Sequence, residues 1–133
     1  MTDSHLSDLR FSSLDLETSL RQGIANAGFE FCTPIQASTL PIALDGRDVA
    51  GQAQTGTGKT AAFLIAAYQR VLTQAGPKTD VDNASEKVGQ PQIFILAPTR
   101  ELAVQIAKDA EELGKHTGLR IALAFGGTGY EQQ

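Results

Sequence analysis

The amino-acid sequence predicts an α/β fold in which helices cover a parallel sheet in three layers. Three apolar segments of strand length, 49–52, 93–97 and 121–125, alternate along the chain with amphipathic segments of helix length. This alternation is typical of parallel strands joined by right-handed helical crossovers. The turn after the first strand, 53–60, is rich in glycine and threonine and leads directly into a helix. The 133 residues, 41% of them hydrophobic, suffice for one domain with one core.

Two helices are predicted before the first strand. The first should have its N-cap at the serine pair 12–13 and Gly28 at its C′ position. The second begins at Thr33, a good N-cap, and Gln36 at the third helical position would complete a capping box. It should end near residue 44. The apolar stripe of the first helix is Leu16, Leu20, Ile24 and Ala27.

Two further helices follow the first and second strands. The first strand should be short and buried, and the helix after it runs from Gly58 to about Thr73. A polar segment, 74–91, then predicts a mobile surface loop. The strand at 93–97 is continuously apolar, as expected of a strand covered on both faces. Thr99 should cap the last helix. The apolar residues of the two helices are Phe63, Leu64, Ala67, Tyr68, Val71 and Leu72, and then Leu102, Ile106, Ala110 and Leu113.

The turn after the first strand has the chemistry of a loop that binds the phosphates of a nucleoside triphosphate. Gly56 and Gly58 let backbone N–H groups approach phosphate oxygens, Lys59 would neutralise them, and the Thr60 hydroxyl is placed to ligate Mg²⁺. Ala53 stands where the usual pattern has its first glycine, but alanine still permits a tight turn at negative φ. The alternative is a connector with an incidental lysine, which the flanking strand and helix disfavour.

Composition and charge exclude several classes of protein. A net charge of −4 argues against indiscriminate binding to nucleic acid or anionic membranes, although a local basic patch can still bind RNA. The single cysteine, Cys32, excludes an internal disulfide, and with His5 and His116 it makes no metal site, so we interpret it as a packed residue. Residues 1–10 lack the apolar core of a signal peptide, and the longest apolar run, 61–68, is too short to span a bilayer. We expect a cytoplasmic protein with no membrane partner.

Four motifs in this order resemble the first half of the core of a DEAD-box RNA helicase. They are Gly-Phe with Thr-Pro-Ile-Gln at 28–36, the phosphate loop at 53–60, Pro-Thr-Arg-Glu-Leu-Ala at 98–103, and the glycine pair 126–127. Three features are similar to the bacterial RhlB branch, which works in RNA decay: the cysteine before the threonine, the phrase at 46–52 (Gly-Arg-Asp-Val-Ala-Gly-Gln) and the ending at 126–130 (Gly-Gly-Thr-Gly-Tyr). The resemblance implies a partial RecA-like ATP-binding domain over residues 11–133, preceded by a polar segment, 1–10.

The resemblance implies a site for ATP and Mg²⁺. Gln36 would read adenine, because its amide both donates and accepts, while capping of the helix without ligand contact is the alternative. The Phe11 ring would stack on the base. The alternative for Phe11 is an ordinary core phenylalanine. Lys59 and Thr60 would act on the transferred phosphate, with Thr60 holding the metal. The phosphate loop contributes Ala53, Gln54, Thr55, Gly56, Thr57, Gly58, Lys59 and Thr60.

The resemblance also implies an RNA site at the carboxyl ends of the strands, where ligands gather in parallel sheets. It comprises Pro98, Thr99, Arg100, Gly126 and Gly127. These residues would contact the RNA backbone without reading its sequence. For Arg100 the alternative is an idle surface residue at the start of a helix.

The 133 residues contain no Asp-Glu-Ala-Asp sequence, which in the family carries the carboxylate for Mg²⁺ and the group that positions water. The parent type would be an RNA-stimulated ATPase that unwinds short RNA duplexes in bacterial RNA degradation, with a ribonuclease scaffold as partner through regions absent here. This fragment would be inactive alone. Its sheet would lack central strands, which predicts marginal stability and aggregation. The alternative is a non-catalytic adenine-nucleotide-binding module or truncated gene product. A small kinase does not account for Gln36 and 98–103.

Overall fold

The structure, a computed structural model, describes residues 6–53, 58–74 and 91–126. Over these ranges a 3₁₀ turn is followed by four α-helices, and the order of the helices is the predicted one. The turn is Phe11–Ser13, and the helices are α1 (Thr18–Asn26), α2 (Pro34–Leu44), α3 (Lys59–Gln74) and α4 (Arg100–Leu113). The predicted loop at 74–91 lies, from residue 75 to residue 90, outside the described residues.

The first helix begins later than predicted. The serine pair lies in the 3₁₀ turn, and Leu14 then continues in extended conformation, at φ −80° and ψ 143°, so the serines cannot cap the helix. Glu17 is the N-cap residue and makes no side-chain cap bond. Its backbone N–H instead donates to Gln69 Oε1 of α3 at 2.8 Å. This tertiary contact fixes the chain at the start of α1, although it is not a side-chain cap of the helical N–H groups.

The end of α1 is as predicted. Gly28 has a φ of +86°, a left-handed conformation that favours glycine. Its N–H donates to the Ala25 carbonyl at 3.0 Å, and the Phe29 N–H donates to the Ile24 carbonyl at 3.2 Å. These two bonds form a Schellman motif, which satisfies carbonyls that the helix leaves free.

The four helices share one core. Helix α3 contacts α2, α4 and α1, and α1 also contacts α4. The apolar residues buried together are Phe11, Leu14, Leu16, Leu20, Ile24, Cys32, Leu40, Ala61, Leu64, Ile65, Tyr68, Ile106, Ala110 and Leu113. The predicted stripe of α4 is confirmed. That of α3 is confirmed for Leu64 and Tyr68 but wrong for Phe63, which is 40% exposed, while Ile65 is fully buried. Two apolar stripes lie side by side on α3, so the sequence alone does not show which stripe faces the core. The packing of α3 against its neighbours shows it.

The three predicted strands have no assigned strand pairing in the structure. In the described part of the chain, β pairing is limited to one isolated antiparallel bridge near the N-terminus. Val49 of the first segment is 39% exposed, so the expectation of a buried strand there is wrong. The parallel sheet therefore stays a prediction.

The segment 93–97 is only partly covered. Ile93 and Ala97 pack against the core, while Phe94 and Leu96 are 80% and 82% exposed. Coverage on both faces was predicted, and that prediction is wrong for the described structure. Ile95, between Phe94 and Leu96, is 37% exposed, so only the two ends of the segment pack against the core. No described element covers the face that carries Phe94 and Leu96.

None of the helices in the described ranges has both the length and the apolar character that crossing a membrane requires.

Replacing Tyr68 by phenylalanine is expected to lower the free energy of unfolding by about 1 kcal/mol. The Tyr68 hydroxyl is buried and donates to the Ala110 carbonyl at 2.7 Å, which joins α3 to α4. Ala110 O also accepts from the Gly114 N–H, so the carbonyl keeps one partner. Urea denaturation of both proteins at pH 7 measures the difference.

The same pair of proteins tests a dependence on pH. Burial, and secondarily the charge of Glu111, raises the pKa of Tyr68 above its ordinary value of 10.0. The unfolded chain then releases this proton at lower pH than the folded chain, so stability falls as pH rises above about 10. The phenylalanine variant should lose less stability there, and equal losses in both proteins would contradict the assignment.

Candidate functional site

The predicted phosphate loop ends at the N-terminus of α3. Gly58 has a φ of +86° and turns the chain into the helix, whose first residues are Lys59 and Thr60. Both side chains are partly exposed. The free N–H groups and the dipole at this end of a sixteen-residue helix favour an anion. Of the other predicted loop residues, Ala53 is partly exposed, and residues 54–57 lie outside the described structure.

Gln36 is the most buried polar residue of the described chain, at 1% exposure. Its Oε1 accepts from the Thr33 N–H at 2.8 Å, and its own N–H donates to Thr33 Oγ1 at 3.4 Å. These two bonds are the predicted capping box, which is confirmed. Its Nε2 donates to the Gly58 carbonyl at 3.1 Å. Capping therefore uses the oxygen of the amide, while the nitrogen reaches the phosphate loop.

The contact between Gln36 and Gly58 brings together two motifs that are 22 residues apart in sequence. A Cβ on Gly58 would overlap Gln36 Nε2 and lie 3.0 Å from Gln36 Cδ. The backbone of the loop can approach the amide this closely because position 58 is glycine. The amide carries one further N–H and one further Oε1 lone pair, and at 1% exposure of Gln36 both are covered by protein in this structure.

Phe11 lies in the core and is 3% exposed. Its ring contacts that of Phe29 with centroids 6.0 Å apart and a tilt of 53°. The Phe11 N–H donates to the Glu30 carbonyl at 3.0 Å. These are the surroundings of a core phenylalanine, and stacking of the Phe11 ring on a base stays a prediction.

The segment before Phe11 is bonded to the residues that precede Thr33. Cys32 N–H donates to the Leu9 carbonyl at 2.7 Å, and Ser7 N–H donates to the Cys32 carbonyl at 2.8 Å. Arg10 lies 4.5 Å from the centroid of the Phe31 ring and pairs with the Glu30 carboxylate at 2.7 Å. Residues 1–10 were predicted as a polar segment, and long-range pairing shows that residues 7–10 pack on the motif at 28–36.

Cys32 is fully buried, and burial raises the pKa of its thiol. A protonated thiol without access to solvent is a poor nucleophile. The interpretation of Cys32 as a packed residue is confirmed.

The two predicted RNA motifs meet at Arg100. Thr99 caps α4 through a bond from the Leu102 N–H to its hydroxyl at 3.1 Å, as predicted, and Arg100 is the first helical residue. Arg100 Nη2 donates to the Gly126 carbonyl at 2.7 Å. The Arg100 guanidinium carbon also lies 4.7 Å from the centroid of the Phe125 ring.

Phe125 is not among the site residues predicted from the sequence. Its position directly before the glycine pair, in a segment otherwise made of small and aliphatic residues, is the signal that could have found it. Gly127, the second glycine of the pair, lies outside the described residues.

Comparison with known proteins gives a family match. The model of the DEAD/DEAH box helicase family matches residues 33–133. Curated relatives with the name ATP-dependent RNA helicase RhlB include proteins of Shewanella piezotolerans (53% identity) and Haemophilus influenzae (56% identity). Each alignment covers 100% of this chain but only 29% and 30% of the respective relative. The chain thus spans less than a third of the length of these relatives.

Solved structures agree with the family match. A Chaetomium thermophilum RNA helicase bound to ADP has a TM-score of 0.72 and 34% identity, over 96% of this chain and 29% of its own. A DEAD box protein of Methanococcus jannaschii has a TM-score of 0.72 and 33% identity, over 93% of this chain and 31% of its own. The resemblance to the RhlB branch inferred from the motifs is confirmed, and the chain belongs to the DEAD/DEAH box helicase family.

Proposed function

We propose that this chain is the nucleotide-binding part of an ATP-dependent RNA helicase, an RNA-stimulated ATPase that unwinds short RNA duplexes. The observation that carries the proposal is the hydrogen bond from Gln36 Nε2 to the Gly58 carbonyl. It places the amide expected to recognise adenine directly against the loop expected to hold the phosphates. The two groups would then line one site for an adenine nucleotide.

Lys59 and Thr60 supply the chemistry for the phosphates. The Lys59 ammonium would neutralise the β- and γ-phosphate oxygens, and free N–H groups at the start of α3 would donate to them. The hard oxygen of the Thr60 hydroxyl fits Mg²⁺, which typically takes few protein ligands and completes its shell with phosphate oxygens and water. Bound Mg²⁺ would neutralise charge that develops on the phosphates.

Two features of Gln36 support adenine as the base. Its amide is held by Thr33 and Gly58, so its orientation is fixed before the ligand arrives. A fixed amide that offers one donor and one acceptor matches the N6 and N7 edge of adenine. Guanine presents acceptors at both corresponding positions and would be bound less well.

The RNA site is proposed at the contact of Arg100 with Gly126. Guanidinium and backbone groups at this rim would bind phosphates and sugars without reading bases. We place the three predicted strand segments in a parallel RecA-like sheet whose carboxyl ends form this rim. Cytoplasmic RNA degradation, with a ribonuclease scaffold as partner, is the proposed setting for the whole enzyme.

A second function is proposed for the 133 residues taken alone. They contain no Asp-Glu-Ala-Asp sequence, so they lack that source of a magnesium-binding carboxylate and of a group to position water. Alone they should bind adenine nucleotide without hydrolysing it. Detectable hydrolysis by the purified chain would contradict this assignment.

Gln36→Glu is expected to weaken binding of a fluorescent ATP analogue about tenfold. Glutamate keeps the oxygen that accepts from the Thr33 N–H, but it replaces the donor to Gly58 with an acidic oxygen that repels both a carbonyl and the N7 of adenine. Lys59→Ala should weaken binding by a similar factor or more through loss of charge. Fluorescence titration with Mg²⁺ measures both, and competition by unlabelled ATP and GTP reports base preference.

Lys108→Ala is the matched control, since this lysine of α4 lies outside the proposed site. It should bind as the unchanged chain does. Circular dichroism and thermal melts show whether each variant is folded. The adenine assignment would be contradicted if a folded Gln36→Glu variant bound the analogue as tightly as the wild type does and showed no preference for ATP over GTP.

A further inference from the structure

The Arg100 side chain is held from two sides. Its guanidinium carbon lies 4.7 Å from the centroid of the Phe125 ring, and its Nη2 donates to the Gly126 carbonyl at 2.7 Å. Arg100 begins α4, and Gly126 lies 26 positions later in the chain. One side chain thus joins two motifs at the rim proposed for RNA.

This arrangement leaves most of the guanidinium free to bind. The group has five N–H donors, and the bond to Gly126 uses one of them. Arg100 is exposed, whereas Phe125 is partly buried. A partly buried ring is a fixed support, and a planar guanidinium beside it can present its remaining donors to a phosphate as a fork.

A free arginine at the start of a helix loses rotamer freedom when it binds a ligand. The contacts with Phe125 and Gly126 restrict the Arg100 side chain before any ligand arrives. Restriction in the bound conformation increases affinity because less entropy is lost on binding. Leucine is apolar like phenylalanine but offers no negative ring face to a cation.

We propose that Phe125 is a positioning residue for RNA: its ring holds the Arg100 guanidinium where it binds a backbone phosphate. The proposal rests on the proposed function, and it adds an aromatic residue that contacts no RNA itself. It predicts that Phe125 contributes to RNA affinity through Arg100.

The test is a double-mutant cycle on the full 133-residue chain with fluorescein-labelled single-stranded RNA at several salt concentrations. Phe125→Leu should weaken binding about two- to fivefold, the range of one exposed cation–π contact, and Phe125→Tyr should bind as the wild type does. Arg100→Ala should lower the slope of log affinity against log salt by about 0.7, the value for one phosphate on a single strand. In the Arg100→Ala background, Phe125→Leu should have no further effect.

Two further variants separate positioning from folding. Phe63→Leu is the matched control, because Phe63 is an exposed phenylalanine of α3, and it should bind as the wild type does. Arg100→Lys keeps the charge but lacks the planar fork, so it should lose affinity even if Phe125→Leu fails to fold. Circular dichroism reports folding for all variants.

The outcomes distinguish the two proposals. Absence of RNA binding by the folded wild-type chain overturns the proposed RNA site and this inference together. If the wild type binds RNA and the losses from Phe125→Leu and Arg100→Ala add in the double variant, this inference alone is overturned, because the ring then acts independently of the guanidinium. If the Arg100→Lys variant binds RNA as tightly as the wild type does, this inference alone is likewise overturned.

Discussion

Gly58→Ala is expected to weaken nucleotide binding at least about tenfold. A methyl group there would overlap the Gln36 amide nitrogen, so the bond from Gln36 to the Gly58 carbonyl would break or the loop would shift. The left-handed conformation adds a cost of about 1–2 kcal/mol for any residue with a Cβ. Loss of about 1.4 kcal/mol of binding free energy already corresponds to a factor of ten. Titration with the fluorescent ATP analogue measures the effect.

Gly118→Ala separates the overlap from the strained backbone. Gly118 also has a left-handed φ, of +76°, but a Cβ there would meet nothing within 4 Å. Both variants should therefore lose similar stability from the backbone, while only Gly58→Ala loses nucleotide affinity. Unchanged affinity in folded Gly58→Ala would mean that the contact between the two motifs is not needed for binding.

Gly23→Ala is expected to lower the free energy of unfolding by about 3 kcal/mol, the upper part of the range for overpacked sites. In an exposed helix the same change would stabilise by about 1 kcal/mol, because alanine is the better helix former. Here the new methyl group would overlap the Leu113 carbonyl oxygen, where α1 crosses α4. The overlapped atom belongs to the backbone of α4, so it can move only if the whole helix shifts. Such a shift would open the core around Leu113, which is 2% exposed. Urea denaturation measures the loss.

Gln22→Ala is the matched control in the same helix. Gln22 is exposed, so this change improves helix propensity without adding a contact, and stability should stay within about 0.5 kcal/mol of the wild type. A Gly23→Ala protein as stable as Gln22→Ala would show that α1 and α4 can separate without cost. The close crossing would then not determine how the helices pack.

Local signals in the sequence predicted three of the four helices closely. Thr33 and Thr99 carry hydroxyl caps, and Gly28 ends α1 in the left-handed conformation, so their roles depend on residues at most four positions away. The start of α1 was predicted wrongly: Leu14 is extended and Glu17 is the N-cap residue, with its N–H bonded to Gln69, 52 residues further along the chain. Serine is the better cap in isolation, so capping preference alone does not find a helix that starts after Glu17.

The family, the helices and the residue types of both sites could be read from the chain alone, because glycine, lysine, threonine and arginine at fixed spacings carry their chemistry wherever the fold places them. Which of these residues touch is a matter of packing. The bond between Gln36 and Gly58, the support of Arg100 by Phe125 and the contact of Phe11 with Phe29 each join residues that are distant in sequence. Such contacts depend on how helices pack around a shared core, and periodicity along one segment carries no information about its distant neighbours.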